Sequence, residues 1–239
     1  MSDQQAKNGI IVFLLLLLVG GAYYVGTLTS KLDAVSKNNT GSVVNNPAAA
    51  PTARNNNREP GEVDPVTDSD HIRGDRNAKI ALIEWSDLEC PYCATFHTTA
   101  QQAVEEYEGE LMWVYRHFPL ASIHPGATAK AQASECVAKV GGDDAFWAFV
   151  DYIFENPTTT VDSLASVAGE LGVDSNAVQT CIDSEEMAEL VSNQLLSGSK
   201  AGVTGTPGNV IMNVETGEAL LIPGAIPFVQ LQAAIEQLK

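Results

Sequence analysis

The apolar residues of the chain are most concentrated near its beginning. Residues 8–30 carry no charged side chain, and residues 10–19 are all apolar. As a helix with a rise of about 1.5 Å per residue, residues 10–28 would be roughly 28 Å long, close to the hydrocarbon thickness of a bilayer. This pattern predicts an N-terminal membrane anchor over residues 1–29, and a cleaved signal peptide is the alternative.

Residues 30–70 follow without any apolar periodicity. They are rich in Asn, Ala, Pro, Thr and Asp, with prolines at Pro47, Pro51, Pro60 and Pro65. Such a composition buries too little apolar surface to fold and is typical of flexible segments. We therefore predict a flexible linker over residues 30–70.

Residues 71–239 contain short apolar runs and helical patterns in turn. The first run, residues 79–85, fits a buried strand. Residues 94–108 have a helical apolar spacing, Gly109 is a typical helix stop, and residues 111–117 form a second apolar run. The order predicts a strand–helix–strand unit.

The middle of this region, residues 125–201, has only helical patterns, which glycines and a proline separate. The last residues predict a hairpin and a closing helix. We therefore predict an α/β domain that is interrupted by an all-helical insertion at about residues 125–201. The predicted helices cover residues 127–140, 143–154, 161–171, 175–182 and 185–201, the hairpin strands residues 209–214 and 218–222, and the last helix residues 227–238.

The composition is that of a globular protein with an acidic surface. Of the 239 residues, 45% are hydrophobic, and 30 acidic side chains outnumber 13 basic ones, for a net charge of −17. An acidic surface repels the phosphate backbone, so the charge argues against a nucleic-acid partner.

The predicted strand–helix junction carries the motif Cys90-Pro91-Tyr92-Cys93. If the helix begins here, Cys90 is its N-cap and Pro91 its first residue, where the missing N–H costs nothing. A Cys90 thiolate would then accept hydrogen bonds from first-turn N–H groups and face the positive end of the helix dipole, which lowers its pKa. Cys93 would be the resolving thiol that closes a disulfide with Cys90.

A Cys-x-x-Cys pair can also be half of a zinc site. A structural zinc needs four ligands, and the two other cysteines, Cys136 and Cys181, are 45 residues apart. His97 could contribute a ligand, although a solvated histidine on the helix surface is the simpler interpretation. We predict a redox pair and no metal.

Cys136 and Cys181 fall in two different predicted helices. We interpret them as a structural disulfide that ties the helices together, and a second redox pair is the alternative. Disulfides persist in oxidising compartments. Four cysteines behind a membrane segment therefore predict that the amino terminus lies inside the cell and the domain outside.

Three motifs, taken in order, resemble those of the DsbA-like thiol-disulfide oxidoreductases. They are residues 83–93 (Ile-Glu-Trp-Ser-Asp-Leu-Glu-Cys-Pro-Tyr-Cys), residues 116–120 (Arg-His-Phe-Pro-Leu) and residues 202–207 (Gly-Val-Thr-Gly-Thr-Pro). The combination is most similar to the membrane-anchored members of that family in Gram-positive and related bacteria. The resemblance covers residues 71–239 and implies a thioredoxin-like fold interrupted by an all-helical insertion domain.

The resemblance implies roles for the residues of the Cys-x-x-Cys motif. Cys90 matches the nucleophilic cysteine of the family, and Cys93 matches the buried resolving cysteine. Pro91 and Tyr92 match the dipeptide that tunes the redox potential.

Other residues match the family outside this motif. Thr206-Pro207 matches the loop whose proline is cis, faces the disulfide and pairs with an extended client. Glu84 matches an acid beneath the disulfide, which would relay protons to Cys93 if buried. A strand-end carboxylate that reaches water is the alternative. His117, His124 and Tyr92 either line the substrate groove or belong to the plain surface.

The family implies a function in an extracytoplasmic compartment. The Cys90–Cys93 disulfide would pass to reduced, unfolded secreted proteins through a mixed disulfide on Cys90, and a membrane quinone-linked partner would reoxidise it. No cofactor beyond this disulfide is implied. The alternatives are a disulfide isomerase or reductase, and a tethered non-enzymatic module that carries a metal-thiolate or binds a protein.

Overall fold

The computed structural model describes residues 58–239, which form a five-stranded sheet with helices on both faces. Within this range, no helix is both long and apolar enough to cross a membrane. The predicted anchor and the first part of the predicted linker lie outside the described residues. In chain order the elements are β1 (His71–Gly74), β2 (Ile80–Ser86), α1 (Pro91–Glu106), β3 (Leu111–His117), α2 (Ala127–Gly141), α3 (Asp143–Glu155), a 3-10 turn (Val161–Ser163), α4 (Leu164–Glu170), α5 (Ser175–Asp183), α6 (Ala188–Ala201), β4 (Gly208–Asn213), β5 (Ala219–Pro223) and α7 (Phe228–Leu238).

The strands of the sheet have the order β1–β3–β2–β4–β5. β2 and β3 are parallel, because α1 crosses over between them, and the other pairs are antiparallel. Every residue of the central strand β2 is buried, as expected of an apolar strand covered on both faces. The antiparallel pairing places Gly208, which begins β4, opposite Trp85 near the end of β2.

Alternate residues of β2 face two separate apolar clusters. Leu82 packs with residues of α1, α7 and the insertion. Ile83 and Trp85 face the other side of the sheet, where α6 packs against β2 and β3. Gly198 of α6 permits this close contact, because a Cβ at that position would lie 2.6 Å from Cδ1 of Trp85.

Helices α2–α6 are inserted between β3 and β4, where the sequence predicts the insertion. They share an apolar cluster with the sheet, since the ring of Trp147 in α3 lies 4.9 Å from that of Trp113 in β3. A disulfide between Cys136 of α2 and Cys181 of α5 joins two helices of the insertion. The insertion is therefore packed onto the sheet and does not form a separate core.

The predicted linker extends too far along the chain, because residues 58–70 contact the domain. We call this segment the strap. Arg58 and Leu221 of β5 exchange two backbone hydrogen bonds of 3.0 and 2.7 Å, and the Gly61 N–H donates to the Ala201 carbonyl at 3.0 Å. These contacts use backbone atoms, which explains why an apolar pattern does not reveal them.

Arg116 of β3 holds the other end of the strap. Its guanidinium donates to both carboxylate oxygens of Asp70, at 2.8 and 3.1 Å, and to the carbonyl oxygens of Asp64 and Pro65 at 3.0 Å. It also lies over the Trp85 ring, 5.4 Å from the centroid. The side chains of Arg116 and Asp70 are almost fully buried, so this ion pair fixes the strap on the sheet.

The predicted α/β fold class is confirmed, and the predicted helices and strands occur within a few residues of their observed bounds. β1 was not predicted, because its four residues are too few and too polar to form an apolar run. The last helix of the insertion begins at Ala188 instead of Glu185, since Glu185 has a φ of 51°, which is incompatible with a right-handed helix.

Candidate active site

Cys90 and Cys93 lie where β2 ends and α1 begins. Cys90 is the N-cap of α1, with an extended backbone at φ −79° and ψ 120°, and Pro91 is the first helical residue. The Cys90 N–H donates to the Asp87 carbonyl at 3.0 Å, which closes a tight turn from the strand into the helix. Both cysteines are free thiols, and both are buried from solvent at 5% and 0% exposure.

The surroundings of Cys90 favour its thiolate. The pKa of Cys90 is lowered to about 5. The main cause is a hydrogen bond from the Cys93 thiol, and the Thr206 side chain and the backbone N–H groups of Cys93 and Tyr92 lower the pKa further. Partial burial opposes this change. Cys90 is therefore mostly thiolate at neutral pH. A thiolate is both a strong nucleophile and a good leaving group in disulfide exchange.

Cys93 has the opposite character. Burial is the main cause that raises its pKa above the ordinary range, and the neighbouring Cys90 and Glu84 raise it further. The backbone N–H of Asp87 points at its sulfur, 3.5 Å away. The pair is therefore asymmetric, with a stabilised anion at Cys90 and a protonated thiol at Cys93.

The Thr206-Pro207 loop lies directly beside Cys90. The peptide bond between the two residues is cis, and the Cys90 sulfur lies 3.5 Å from the Thr206 carbonyl oxygen. The topology explains this position, because the loop leads into β4, whose first residue Gly208 pairs with Trp85 near the end of β2. The structure thus brings together two motifs more than a hundred residues apart in the sequence.

Glu84 lies on β2 beneath the two cysteines and is completely buried. Burial raises the pKa of Glu84 to about 7, and a 3.0 Å hydrogen bond from the Trp113 indole N–H opposes the rise. Its carboxyl group is near enough to Cys93 to raise the pKa of that thiol. The sequence left two interpretations of Glu84, a buried acid or a strand-end carboxylate that reaches water, and the structure shows a buried acid.

Asp87 is a buried acid of the site that sequence reasoning did not single out. Its Oδ1 accepts the Glu89 N–H at 2.8 Å, and its Oδ2 accepts the Leu120 N–H at 2.8 Å. The same Oδ2 lies 2.8 Å from Nδ1 of His124, which is partly exposed. Asp87 therefore holds the turn that precedes Cys90 and ties it to the segment after β3.

Glu89 makes a second connection from the same turn. Its carboxylate accepts the Gly126 N–H at 2.8 Å and pairs with Lys130 of α2 at 3.1 Å. These contacts lower the pKa of Glu89 against the opposing effect of partial burial. Lys130 is only 2% exposed, so the insertion contributes a buried cation next to the redox motif. Two acids just before Cys90 are visible in the sequence, but their partners are not.

The positions predicted for His117 and His97 are wrong, because both side chains are buried. His117 is buried and does not line a groove, because its Nε2 lies 3.2 Å from Glu135 of α2. Glu135 also pairs with His71 of β1 at 3.1 Å. His97 is buried as well, 2.6 Å from Asp151 of α3, and is not a solvated surface residue.

These buried histidines join the sheet layer to the insertion. Burial would lower the pKa of His71, but its hydrogen bonds to Asp143 and Glu135 raise it to about 9. Burial would raise the pKa of Glu135, but its contacts with His117 and His71 lower it to about 2. Of the residues proposed for the groove, Tyr92 is the one that is exposed next to Cys90, at 67%.

Comparison with known proteins places this geometry in a family. A sequence model of the family described as Thioredoxin matches residues 66–236. The Na(+)/H(+) antiporter NhaA of Herminiimonas arsenicoxydans is 34% identical over 146 residues, which are 61% of this chain and 22% of the antiporter. The chain thus spans about a fifth of the length of that relative.

Two solved structures have a similar fold. The crystal structure of Pseudomonas aeruginosa DsbA2 has a TM-score of 0.56 at 24% identity and covers 73% of this chain and 97% of that one. Oxidised BdbD from Bacillus subtilis has a TM-score of 0.62 at 20% identity and covers 75% of this chain and 98% of that one. The family match covers most of the chain, and the Cys90–Cys93 site pairs a thiol of lowered pKa with one of raised pKa. The chain therefore belongs to the thioredoxin family.

Proposed function

We propose that the protein is an extracytoplasmic disulfide oxidase, which transfers the Cys90–Cys93 disulfide to reduced, unfolded secreted or cell-surface proteins. The observation that carries the proposal is the asymmetry of the two thiols. A low pKa at Cys90 stabilises the reduced form of the pair, so giving the disulfide away becomes favourable.

The first step of the proposed reaction is attack by a client thiolate on the Cys90 sulfur of the oxidised pair. A client–Cys90 disulfide forms, the Cys90–Cys93 bond breaks, and Cys93 leaves as a thiolate. The Asp87 N–H faces this sulfur, and Glu84, with a pKa of about 7, is the nearby acid that can donate a proton to it.

The second step releases the oxidised client. A second client thiol loses its proton and attacks the client sulfur of the mixed disulfide, so that Cys90 leaves as a thiolate. The low pKa of Cys90 makes it a good leaving group. The client has lost two electrons and two protons, and the enzyme holds the two electrons in its dithiol.

Binding of the client is proposed at the Thr206-Pro207 loop. The Thr206 backbone lies next to Cys90, and an extended segment of an unfolded chain can pair with it as a strand pairs with a sheet edge. Such pairing uses backbone atoms and so accepts many client sequences.

Turnover requires reoxidation of Cys90 and Cys93. We assign this step to a membrane quinone-linked partner that accepts the two electrons and two protons. The predicted anchor at residues 1–29 would hold the domain at the outer face of the cell membrane, next to such a partner. Cell fractionation, together with accessibility of the domain to protease in intact cells, tests this location.

The reduction potential of the Cys90–Cys93 pair tests the direction of the reaction. The full-length protein in detergent is equilibrated in glutathione buffers, with Cys136→Ala/Cys181→Ala as the control that isolates the pair. A value nearer to about −120 mV than to the thioredoxin value of about −270 mV supports an oxidase. A value at or below that of thioredoxin would instead indicate a tethered reductase.

A further inference from the structure

A cavity of about 220 Å³ lies next to the Thr206-Pro207 loop, on the side where the strap reaches the sheet. Its walls come from three parts of the chain: residues 202–208, β5 with the turn that follows it, and the first residue of the strap. The residues that matter here are Arg58, Thr204, Thr206, Pro207, Pro223 and Gly224.

The cavity is continuous with the place where a client would bind. Thr206, whose carbonyl is 3.5 Å from the Cys90 sulfur, is part of its wall. Gly224 is also part of the wall and donates its N–H to the Pro207 carbonyl at 2.8 Å. A client segment that pairs with Thr206 would therefore lie beside the cavity.

Arg58 is the one residue with a charged side chain among the cavity walls, which are otherwise glycine, proline, threonine and aliphatic residues. Its side chain is exposed. The contacts between Arg58 and Leu221 use only the backbone atoms of Arg58, so they leave the guanidinium available. Among residues 58–239, no carboxylate forms an ion pair with it.

We propose that Arg58 is a specificity determinant, which binds the carboxylate of a client Asp or Glu located within about three residues of the reacting cysteine. This inference rests on the proposed function, since it names a class of client for that site. A guanidinium matches a carboxylate in geometry and charge. On a protein with a net charge of −17, a cation at the cavity also offsets the repulsion that an acidic client segment would meet.

The test measures mixed-disulfide formation at Cys90 in the full-length Cys93→Ser protein. Each probe is a short peptide with one cysteine, in a pair that differs only by Glu or Gln at one flanking position. The peptide displaces glutathione from Cys90, and the equilibrium constant of this exchange is compared between the two peptides. Arg58→Gln and Arg58→Glu are added to the same background. Lys79→Gln is the matched control, because Lys79 is an exposed cation that precedes the opposite end of β2.

We expect the Glu peptide to be favoured about two- to fivefold over the Gln peptide at low salt, as for a partly exposed ion pair. Arg58→Gln should abolish this ratio and Arg58→Glu should invert it, while Lys79→Gln should keep it. High salt should reduce the ratio in the protein with Arg58. A ratio of one with Arg58 present, or an unchanged ratio in Arg58→Gln, would overturn the inference.

This experiment separates the inference from the proposed function. Exchange at Cys90 occurs whether the protein works as an oxidase or as a reductase, so the peptide ratio can be measured in both cases. The reduction potential tests the proposed direction of the reaction, and the ratio between the Glu and Gln peptides tests the role of Arg58. The substitutions leave the backbone contacts of Arg58 with Leu221 in place, so loss of folding is not expected.

Discussion

The four cysteines form two pairs in contrasting surroundings. Cys136 lies in the middle of α2 and Cys181 in the last turn of α5, and their disulfide belongs to the apolar cluster of the insertion. Cys90 is instead the N-cap of α1, where free N–H groups and the positive end of the helix dipole stabilise a thiolate.

The position within a helix explains why the two pairs should differ in chemistry. The last turn of a helix carries the negative end of the dipole, so a thiolate at Cys181 would be disfavoured. At the redox pair, the Cys90 pKa is lowered to about 5, while that of Cys93 is raised by burial and by Glu84. The reactivity of a cysteine pair therefore depends on the groups that stabilise one sulfur as an anion.

The largest expected effect comes from removing one sulfur of the redox pair. Cys90→Ser should abolish oxidation of a dithiol peptide, because no sulfur remains at position 90 to form the mixed disulfide or to leave from it. Cys93→Ser should instead accumulate mixed disulfides on Cys90, visible as mass additions in protein purified from cells. If Cys93→Ser carries no covalent partner, exchange through Cys90 is not the mechanism.

The other pair should affect stability and leave the chemistry unchanged. Its disulfide closes a loop between positions 45 residues apart. Removing such a crosslink costs about 4 kcal/mol in the chain-entropy description. We therefore expect Cys136→Ala/Cys181→Ala to unfold at lower urea concentration while the reduction potential of Cys90–Cys93 stays the same. Retained stability with lost oxidase activity would make Cys136 and Cys181 part of the redox relay.

Local sequence patterns predicted much of this contrast. Cys90 and Pro91 are a recognisable helix start, and a helix start is enough to predict a lowered thiol pKa. The alternation of apolar runs and helical spacing located the insertion because these patterns involve only near neighbours in the sequence. The position of Glu84 on a buried strand followed from the same apolar run.

The contacts of buried polar residues could not be predicted in this way. Asp87 and Glu89 find their partners at Leu120, Gly126 and Lys130, more than thirty residues away. His97 and His117 were expected near the surface and are buried, because each has a carboxylate partner on an insertion helix. The strap was missed for a related reason, since its two ends are held by backbone hydrogen bonds and by the contacts of Arg116 with Asp70 and the backbone.

The pH dependence of stability tests the raised pKa of Glu84, which lies next to the redox pair. In the folded protein the pKa of Glu84 is raised from 4.5 to about 7. Folding therefore favours the protonated acid, and this advantage is fully present below pH 4.5 and is lost as the pH rises through about 7. The loss amounts to about 3 kcal/mol at neutral pH, from the size of the shift.

Urea unfolding of the reduced protein between pH 4 and 8 measures this effect. Glu84→Gln keeps an acceptor for the Trp113 N–H and cannot ionise, so its stability relative to that of the unmodified protein should rise between pH 4.5 and 7. Glu105→Gln, an exposed change on α1, is the control and should leave the pH dependence unaltered. Equal pH dependence in Glu84→Gln would contradict a raised pKa at Glu84.

The smallest effect is expected at the contact between the redox turn and the insertion. Glu89 lies directly before Cys90, and its ion pair with Lys130 joins the redox turn to α2, the helix that also carries Cys136. Glu89→Gln would leave the Lys130 ammonium buried without a charged partner. We expect a loss of about 2 kcal/mol, less than for a fully buried pair, because the Glu89 carboxylate is partly exposed.

The double variant Glu89→Gln/Lys130→Met separates the ion pair from the packing around it. Met replaces the apolar stem of Lys130 without its charge, so the double variant should recover most of the stability that Glu89→Gln loses. Urea unfolding gives the stability of each protein, and exchange with glutathione at Cys90 gives the reactivity of the redox turn. If Glu89→Gln alone slows exchange and the double variant restores it, an unpaired charge at α2 disturbs Cys90. If Glu89→Gln changes neither the stability nor the exchange at Cys90, the insertion does not support the redox turn. The two cysteine pairs would then be structurally independent.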